Sequence, residues 1–422
     1  MTDYYLDPAK AYSDATGVDK TGNEYTGPAG LQAAIRGTGN ATALVKGDTL
    51  YIKAGTGDQS RLVLIDCNGT SVTAWGIGDV VHNKDAGSTW QGVVVETNSG
   101  GFLGANDLAL VWLDSGYDKD DILIAEGVTN DDAGGGANDP TDVDPLAAVS
   151  APGNATDNNT GDADEPISVI AVNAAWVEDG SEAIFDAKDI ATYNFDLAGK
   201  DYLHFRNIHG ANAASHGWVC STGLSVYSHF EDCVASGSGG CGFGGLSNIR
   251  YSSFHRCRAY DIAGTYGITG LLCSYSHCVA YNCVTGFYPN TGGALSGCLA
   301  YQCTTGIKTG QGSTLYNCVA DDNTTGVSIY VAGASLVGVR ITNNTTGVGG
   351  TSAWYEKFCF YGGNTANWTN ANGVDLVDGA STRTISDVVA DIGYIDPDNA
   401  TLADRNYALT NQASARRQAV TL

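Results

Sequence analysis

The sequence predicts an all-β chain whose larger part is a parallel β-helix, a solenoid of stacked coils. Three observations carry the prediction. A motif returns every 20 to 25 residues through the second half, reading FEDCVAS at 230–236, then FHRCRAY, YSHCVAY, LSGCLAY and LYNCVAD at 315–321. A unit this short cannot close a core alone and must stack on its neighbours. Within each unit the runs are short, β-prone and punctuated by Gly, Thr and Asn, with no 3.6-residue periodicity. Finally, only 16% of residues are charged, 56 of 422 are Gly and one is Met, a turn-rich all-β composition. Leucine-rich repeats share the period but need several leucines per unit, and these copies have two at most.

Aligned copies form columns. Ile208, Cys233, Cys257, Cys278, Cys298, Cys318, Val339 and Cys359 share one position, with steps from Cys233 of 24, 21, 20, 20, 21 and 20 residues. Three residues earlier stands Phe205, Phe230, Phe254, Tyr275, Leu295, Leu315 or Leu336. Two residues later stands Ala235, Ala259, Ala280, Ala300 or Ala320, and five later Cys283, Cys303, Asn323, Asn344 or Asn364. A Gly-apolar pair follows, as in Gly286-Phe287 and Gly306-Ile307. On parallel strands like residues pile up about 4.8 Å apart. Thiols stacked in this way point in one direction, which suits a disulfide dihedral poorly. The sequence therefore predicts a reduced structural ladder of buried Cys233, Cys257, Cys278, Cys298, Cys318 and Cys359. Cys273, Cys278 and Cys283 are spaced C-x4-C-x4-C, unlike the tight pairs of zinc sites, and no metal or other cofactor is expected.

The chain is long enough for more than one domain. Residues 1–65 read as an N-terminal cap and first coil. Asp3-Tyr4-Tyr5-Leu6-Asp7-Pro8 leads to a short helix predicted over 31–35, then to Gly47-Asp48-Thr49-Leu50-Tyr51-Ile52-Lys53-Ala54-Gly55. This opening resembles the capped start of right-handed β-helix proteins of the pectin-lyase-like superfold. That group includes polysaccharide lyases, surface proteins, and bacteriophage spikes and virion decorations. The resemblance covers 3–65 and 166–409 and implies a right-handed parallel β-helix; it speaks to fold far more than to function. In such proteins the first coil runs into a strand close to PIxVxG, which arrives here only at Pro166-Ile167-Ser168-Val169-Ile170. Residues 66–128 are thus an inserted small β domain, with strands expected near Val80-Val81, 92–96, 108–113 and 121–125. It resembles a barrel or sandwich module of phage virion proteins. Residues 129–165 read as an acidic Gly/Asp linker: between Asp120 and Glu165 there are 12 acidic residues and no Lys or Arg. A solvated loop is the simpler reading, and no spacing there matches an EF-hand. The β-helix resumes over 166–370. Residues 371–422 are a closing segment, in which 390–397 and Asn406-Tyr407-Ala408-Leu409 resemble the "DPxF…DYxL" ending of many β-helix proteins and would blunt the end of the stack.

The net charge of −25 argues against nucleic acid and anionic membranes as partners. The start MTDYYLDPAK has no basic region followed by an apolar run, and no 18-residue apolar stretch occurs. The expectation is synthesis in a host cytoplasm and, by the resemblance, residence in a virion.

Alternate residues on a strand face opposite ways. If the Cys and Ala columns point inward, Val234, Val279, Leu299 and Val319 point outward, followed by Tyr260, Tyr281 and Tyr301. Such a stripe exceeds what a monomer usually leaves bare, so this sheet is expected to be covered on both faces. A homotrimer, implied by viral β-helices, is the first candidate cover. The C-terminal tail is the second. The third possibility is a sugar-binding platform of stacked tyrosines.

Catalytic groups are scarce. Glycosidic cleavage needs two carboxylates at a set separation. Asp321 and Asp322 are adjacent and should diverge. Asp261 and Asp322 share a turn position three coils apart, about 14 Å. Asp232 with Arg256 and Glu231 with His255 are most simply cross-coil pairs. The seven histidines do not fall in one column, and the glycine-rich 239–245 has no helix after it to cradle a phosphate. No catalytic residue is therefore assigned. The expected function is a non-enzymatic structural virion protein of a bacteriophage, a head decoration or spike subunit, with other virion proteins as partners. The alternative is a tailspike-type receptor-binding protein or polysaccharide depolymerase, lyase or glycosidase, acting on surface polysaccharide.

Overall fold

The computed structural model describes residues 3–7, 44–58 and 163–369, apart from a few positions within the last span, together with isolated strands elsewhere. The helix predicted over 31–35 lies outside the described residues. The fold is the right-handed parallel β-helix, with an inserted β module, that the repeat and the opening segment predict. Three parallel sheets run along it. Sheet I has thirteen strands and carries the Phe column; its strands Leu203–Arg206, His229–Glu231, Ser253–His255 and Ser274–Ser276 lie side by side. Sheet II has ten strands and carries the Ala column, and sheet III has ten and carries the Gly-apolar pairs. Registers match the sequence columns: Phe230↔Phe254, Ala259↔Ala280 and Phe287↔Ile307 are direct partners.

The insertion leaves and re-enters between neighbouring coils. Thr49–Lys53 pairs with Ile167–Val172, and Gly55–Asp58 pairs with Ala183–Asp186, both parallel. Between them lies a six-stranded antiparallel sheet ordered Asp142–Asp144, Leu62–Asp66, Leu108–Leu113, Gln91–Thr97, Val80–Asn83, Leu123–Ala125. Two of its strands fall outside the predicted 66–128. Leu62–Asp66 pairs Val63 with Val111 instead of continuing the first coil. Asp142–Asp144, within the predicted linker, pairs with that same strand, and Val149–Ser150 is already an edge strand of sheet III. Backbone pairing needs no apolar side chain, which is why composition hides Asp142–Asp144. In the closing segment Tyr394–Asp396 pairs antiparallel with Asn406–Leu409.

Corners repeat a local device. Between sheets I and II one left-handed residue stands outside and the next points in: Asp232 before Cys233, Arg256 before Cys257, His277 before Cys278, Asn317 before Cys318. The corner after sheet II repeats it with Asp261, Asn282, Gln302, Asp322 and Asn343, followed by buried Ile262, Cys283, Cys303, Asn323 and Asn344. Asp, Asn and Gly tolerate this conformation best. Asn323 Nδ2 donates to Ala300 O at 3.2 Å and to Asn344 Oδ1 at 3.0 Å, while its Oδ1 accepts the Cys303 N–H at 2.9 Å. Asn344 repeats the pattern one coil on, with Nδ2 to Ala320 O and to Asn364 Oδ1.

The interior is filled without a break along the axis. Phe205, Phe230, Phe254 and Tyr275 stack with centroids 5.6, 4.8 and 5.2 Å apart, and Trp218 and Phe243 meet them edge-on from sheet III. At the narrow end of the cross-section the Gly column of sheet III meets the Ala column of sheet II. A Cβ on Gly286 would lie 2.6 Å from Gly306 O and 3.2 Å from Ala300 Cβ, so the Gly-apolar pair records a close approach of two sheets.

Candidate functional site: a histidine, arginine and carboxylate cluster at the first corner

One coil departs from the tight corners. Residues 173–182 form a long connection from sheet I to sheet II, held by Asn173, whose Oδ1 accepts from the Ala175 and Val177 amides and whose Nδ2 donates to Asp179. This loop sends Glu178 and Glu182 over the coils that follow. Glu178 Oε1 accepts from Arg206 Nη1 at 2.6 Å, and Arg206 Nε donates to Glu231 Oε2 at 2.8 Å. Arg256 spans Asp232 at 2.7 and 2.6 Å and reaches Glu231 Oε1 at 2.8 Å. Glu182 pairs with Arg258 and lies 3.6 Å from His209 Nδ1, whose Nε2 meets Ser236 Oγ at 2.7 Å.

Histidines gather here. His204 and His229 are register partners in sheet I with rings 4.9 Å apart; His255 and His277 meet edge-on at 5.8 Å. His204 Nε2 lies 3.8 Å from Glu231 Oε2, is buried, and has no hydrogen-bond partner. Burial above all, with His229 and Arg206 adding to it, pushes the His204 ring down to about 4, and burial lowers His229 as well. Burial works to raise the Glu231 carboxyl, but the Arg206 and Arg256 guanidiniums outweigh it and hold it below its ordinary range. The neighbouring His209 ring is the main cause of the lowered Glu182 carboxyl, with Arg258 assisting. All three guanidiniums of the cluster are thus engaged by carboxylates.

The residues singled out from sequence fall as follows. Cys233, Cys257, Cys278, Cys298, Cys318 and Cys359 are buried and unbridged, as are all eleven cysteines among the described residues. The thiols of five of them donate to a carbonyl of the preceding coil, as Cys233 to Phe205 O at 3.4 Å and Cys257 to Phe230 O at 3.3 Å. Burial pushes the thiols of Cys257, Cys298 and Cys318 well up. On the outer face of sheet II, Tyr260, Tyr281 and Tyr301 stack at 5.0 Å with interplanar angles of 6° and 12°. Tyr301 is only 2% exposed, while Tyr260, Tyr281, Val279, Leu299 and Val319 are half-buried within a single copy of the chain. Tyr281 spends both of its ring faces on these neighbours. Asp321 and Asp322 diverge: Asp321 is buried against Thr342 and Asn343, and Asp322 is exposed at a corner. Asp261 and Asp322 are each tied by a side-chain amide, from Asn282 and Gln302.

Sequence reasoning did not assemble the cluster. The pairing of Arg256 with Asp232 is visible in the columns, but Glu178 and Glu182 come from a loop with no repeat to align. His204 and His229 do share a column, the one just before Phe205 and Phe230, while His255 and His277 stand in two other positions of the repeat.

No family model matches the chain, and no curated protein matches it. Among solved structures, pectate lyase Pel9A superposes with a TM-score of 0.53 at 13% identity, covering 90% of this chain and 82% of that one. An alginate lyase from Paenibacillus sp. str. FPU-7 gives 0.45 at 10% identity, over 82% of this chain and 97% of that one. ORF18 of Geobacillus virus E2 gives 0.43 at 10% identity, over 88% of this chain and 60% of that one. At such identities the pectate lyase likeness speaks to architecture alone. The chain shares the parallel β-helix architecture of that pectate lyase.

Proposed function

We propose that this protein is a non-enzymatic structural component of a bacteriophage virion, a head decoration protein or a spike subunit. One observation carries the non-enzymatic part: in the densest polar cluster Arg206, Arg256 and Arg258 are all paired with carboxylates across coils. Lyase and glycosidase chemistry both need a group free to accept or donate a proton beside the substrate. With its carboxylates spent on guanidiniums the network stiffens a rod instead, and its unpartnered imidazole atoms, His204 Nε2 and His209 Nδ1, are buried. The uninterrupted core and the amide ladder at the second corner serve the same end. The virion assignment rests on the resemblance of the opening segment and the inserted module to phage proteins. A homotrimer packed on the outer face of sheet II would cover the half-buried stripe.

A second reading, a receptor-binding spike or depolymerase, draws on the exposed rings of Tyr316, Tyr330 and Tyr355, whose apolar faces suit sugar rings. The test is incubation of the purified protein with a panel of bacterial surface polysaccharides. New reducing ends and the ultraviolet absorbance of unsaturated uronates are the readouts. No turnover is expected, and robust turnover overturns the structural proposal. Immunogold labelling of particles should place the protein on the virion. Native mass should read as three copies of the 43.7 kDa chain; a sole monomer removes the trimer.

A further inference from the structure

We propose that His204, His229 and Glu231 form a binding site for one divalent transition-metal ion of the zinc type, which staples two adjacent coils of the β-helix. His204 lies on one strand of sheet I; His229 and Glu231 lie on the next, with His204↔His229 and Arg206↔Glu231 in register. One donor atom from each of the three residues lies within 4.8 Å of the other two, the one such group among the described residues. Tetrahedral bonds of 2.0 to 2.1 Å bring ligand atoms to roughly 3.3 Å from one another. Small side-chain rotations therefore close the site, and the backbone register need not change.

Independent features point to a ligand. His204 Nε2 is a buried polar atom without a hydrogen-bond partner, 3.8 Å from Glu231 Oε2; such atoms are rare in native proteins and call for an explanation. The other two donors are held by outer contacts. His229 Nδ1 meets Ser253 Oγ at 2.5 Å, which leaves Nε2 for a metal, and Glu231 is oriented by Arg206 and Arg256. Support of this kind from a second ring of residues is typical of metal sites. A carboxylate has lone pairs to share between a guanidinium and a metal.

Charge permits a cation despite the arginines. Glu178, Glu231 and Asp232 together outnumber Arg206 and Arg256 by one negative charge. Two imidazoles and one carboxylate select zinc, cobalt or nickel over calcium or magnesium. The side chains of His204 and Glu231 are 20% and 18% exposed, so an ion can enter and water can complete its shell. The expectation of no metal rested on cysteine spacing, and cysteines take no part here. The site stands whether or not the virion proposal does.

The test uses the full chain, stripped with a chelator and then titrated with Co²⁺. One Co²⁺ per chain with visible d–d bands is expected, displaced stoichiometrically by Zn²⁺, and saturating Zn²⁺ should raise Tm. His229→Ala and Glu231→Gln should each weaken Co²⁺ affinity by about tenfold or more, with the metal-free fold verified by circular dichroism. His277→Ala, on an exposed corner outside the triad, should bind as the parent does. Absence of the cobalt bands in the parent chain overturns the proposal. So does unchanged affinity in folded His229→Ala and Glu231→Gln, and the parent spectrum decides the matter even if a variant fails to fold.

Discussion

Replacing Phe254 by Ala tests the stacked interior most directly. Phe254 is fully buried, with Phe230 at 4.8 Å and Tyr275 at 5.2 Å on its two faces and Phe243 edge-on at 5.8 Å. The coils above and below are hydrogen-bonded to this one along all three sheets, so the hole cannot collapse without breaking register. Truncations of this kind cost about 3–5 kcal/mol, and the rigid surround places Phe254→Ala near the upper end. Phe254→Leu restores the residue type found at Leu295 and Leu315 in the same column, so most of the buried volume returns. It loses the ring–ring contributions, about 0.5–1.5 kcal/mol for each pair, for an expected cost of about 1–3 kcal/mol. Tyr316→Ala, at a half-exposed outer position of sheet I, should stay within about 0.5 kcal/mol of the parent. Urea melts followed by far-ultraviolet circular dichroism give the three values. A cost below about 1 kcal/mol for Phe254→Ala, or equal costs for Ala and Leu, would refute the continuous aromatic file.

Asn323→Ala should destabilise by about 2–4 kcal/mol, because it orphans the buried Cys303 amide and takes the side-chain donor from Ala300 O and from Asn344 Oδ1, the latter keeping the backbone N–H of residue 323; melting that matches the parent would show that the amide ladder is not structural. Burial pushes the Cys220, Cys241 and Cys273 thiols up to about 11, so at pH 8 the folded chain should leave these thiols and the buried ladder unreacted with an aromatic disulfide reagent, and denaturation should release them. Fast labelling of several ladder cysteines in the folded state would contradict this. Burial lowers the His216 ring, whose Nδ1 accepts the Cys241 N–H at 2.8 Å. The unfolded chain therefore takes up this proton first, and stability is lost as pH falls from the ordinary histidine value toward the lowered one. His216→Gln should flatten that part of the pH–stability curve, and an unchanged slope refutes the assignment. Burial raises the Asp321 carboxyl, so its sign is opposite: its favourable contribution is complete at low pH and is lost as pH rises through the raised value. Asp321→Asn should gain on the parent at neutral pH and match it in acid, as read from Tm across pH.

The repeat made the β-helix legible, because stacked coils demand like residues at like places. The Phe, Cys, Ala and Asn columns fall in the registers in which they align. The left-handed corners were half legible: Asp232, Asn282 and His277 are of types enriched there, but Arg256 and Gln302 at the same places carry no propensity signal. The insertion was legible from the delay between Lys53 and Ile167, which the parallel pairing of those two strands explains. Its outer limits were not, since Asp142–Asp144 joins a sheet through its backbone in an acidic stretch.

By itself the sequence determined the period and the filling of the rod, since both follow from stacking identical units. Only the tertiary structure decided the polar cluster. Glu178 and Glu182 reach Arg206 and Arg258 because a loop outside the repeat lies across two later coils. His204, His229 and Glu231 converge through a diagonal between coils. Columns report what stacks directly above; what meets across a corner depends on where side chains of unrelated length and direction come to rest.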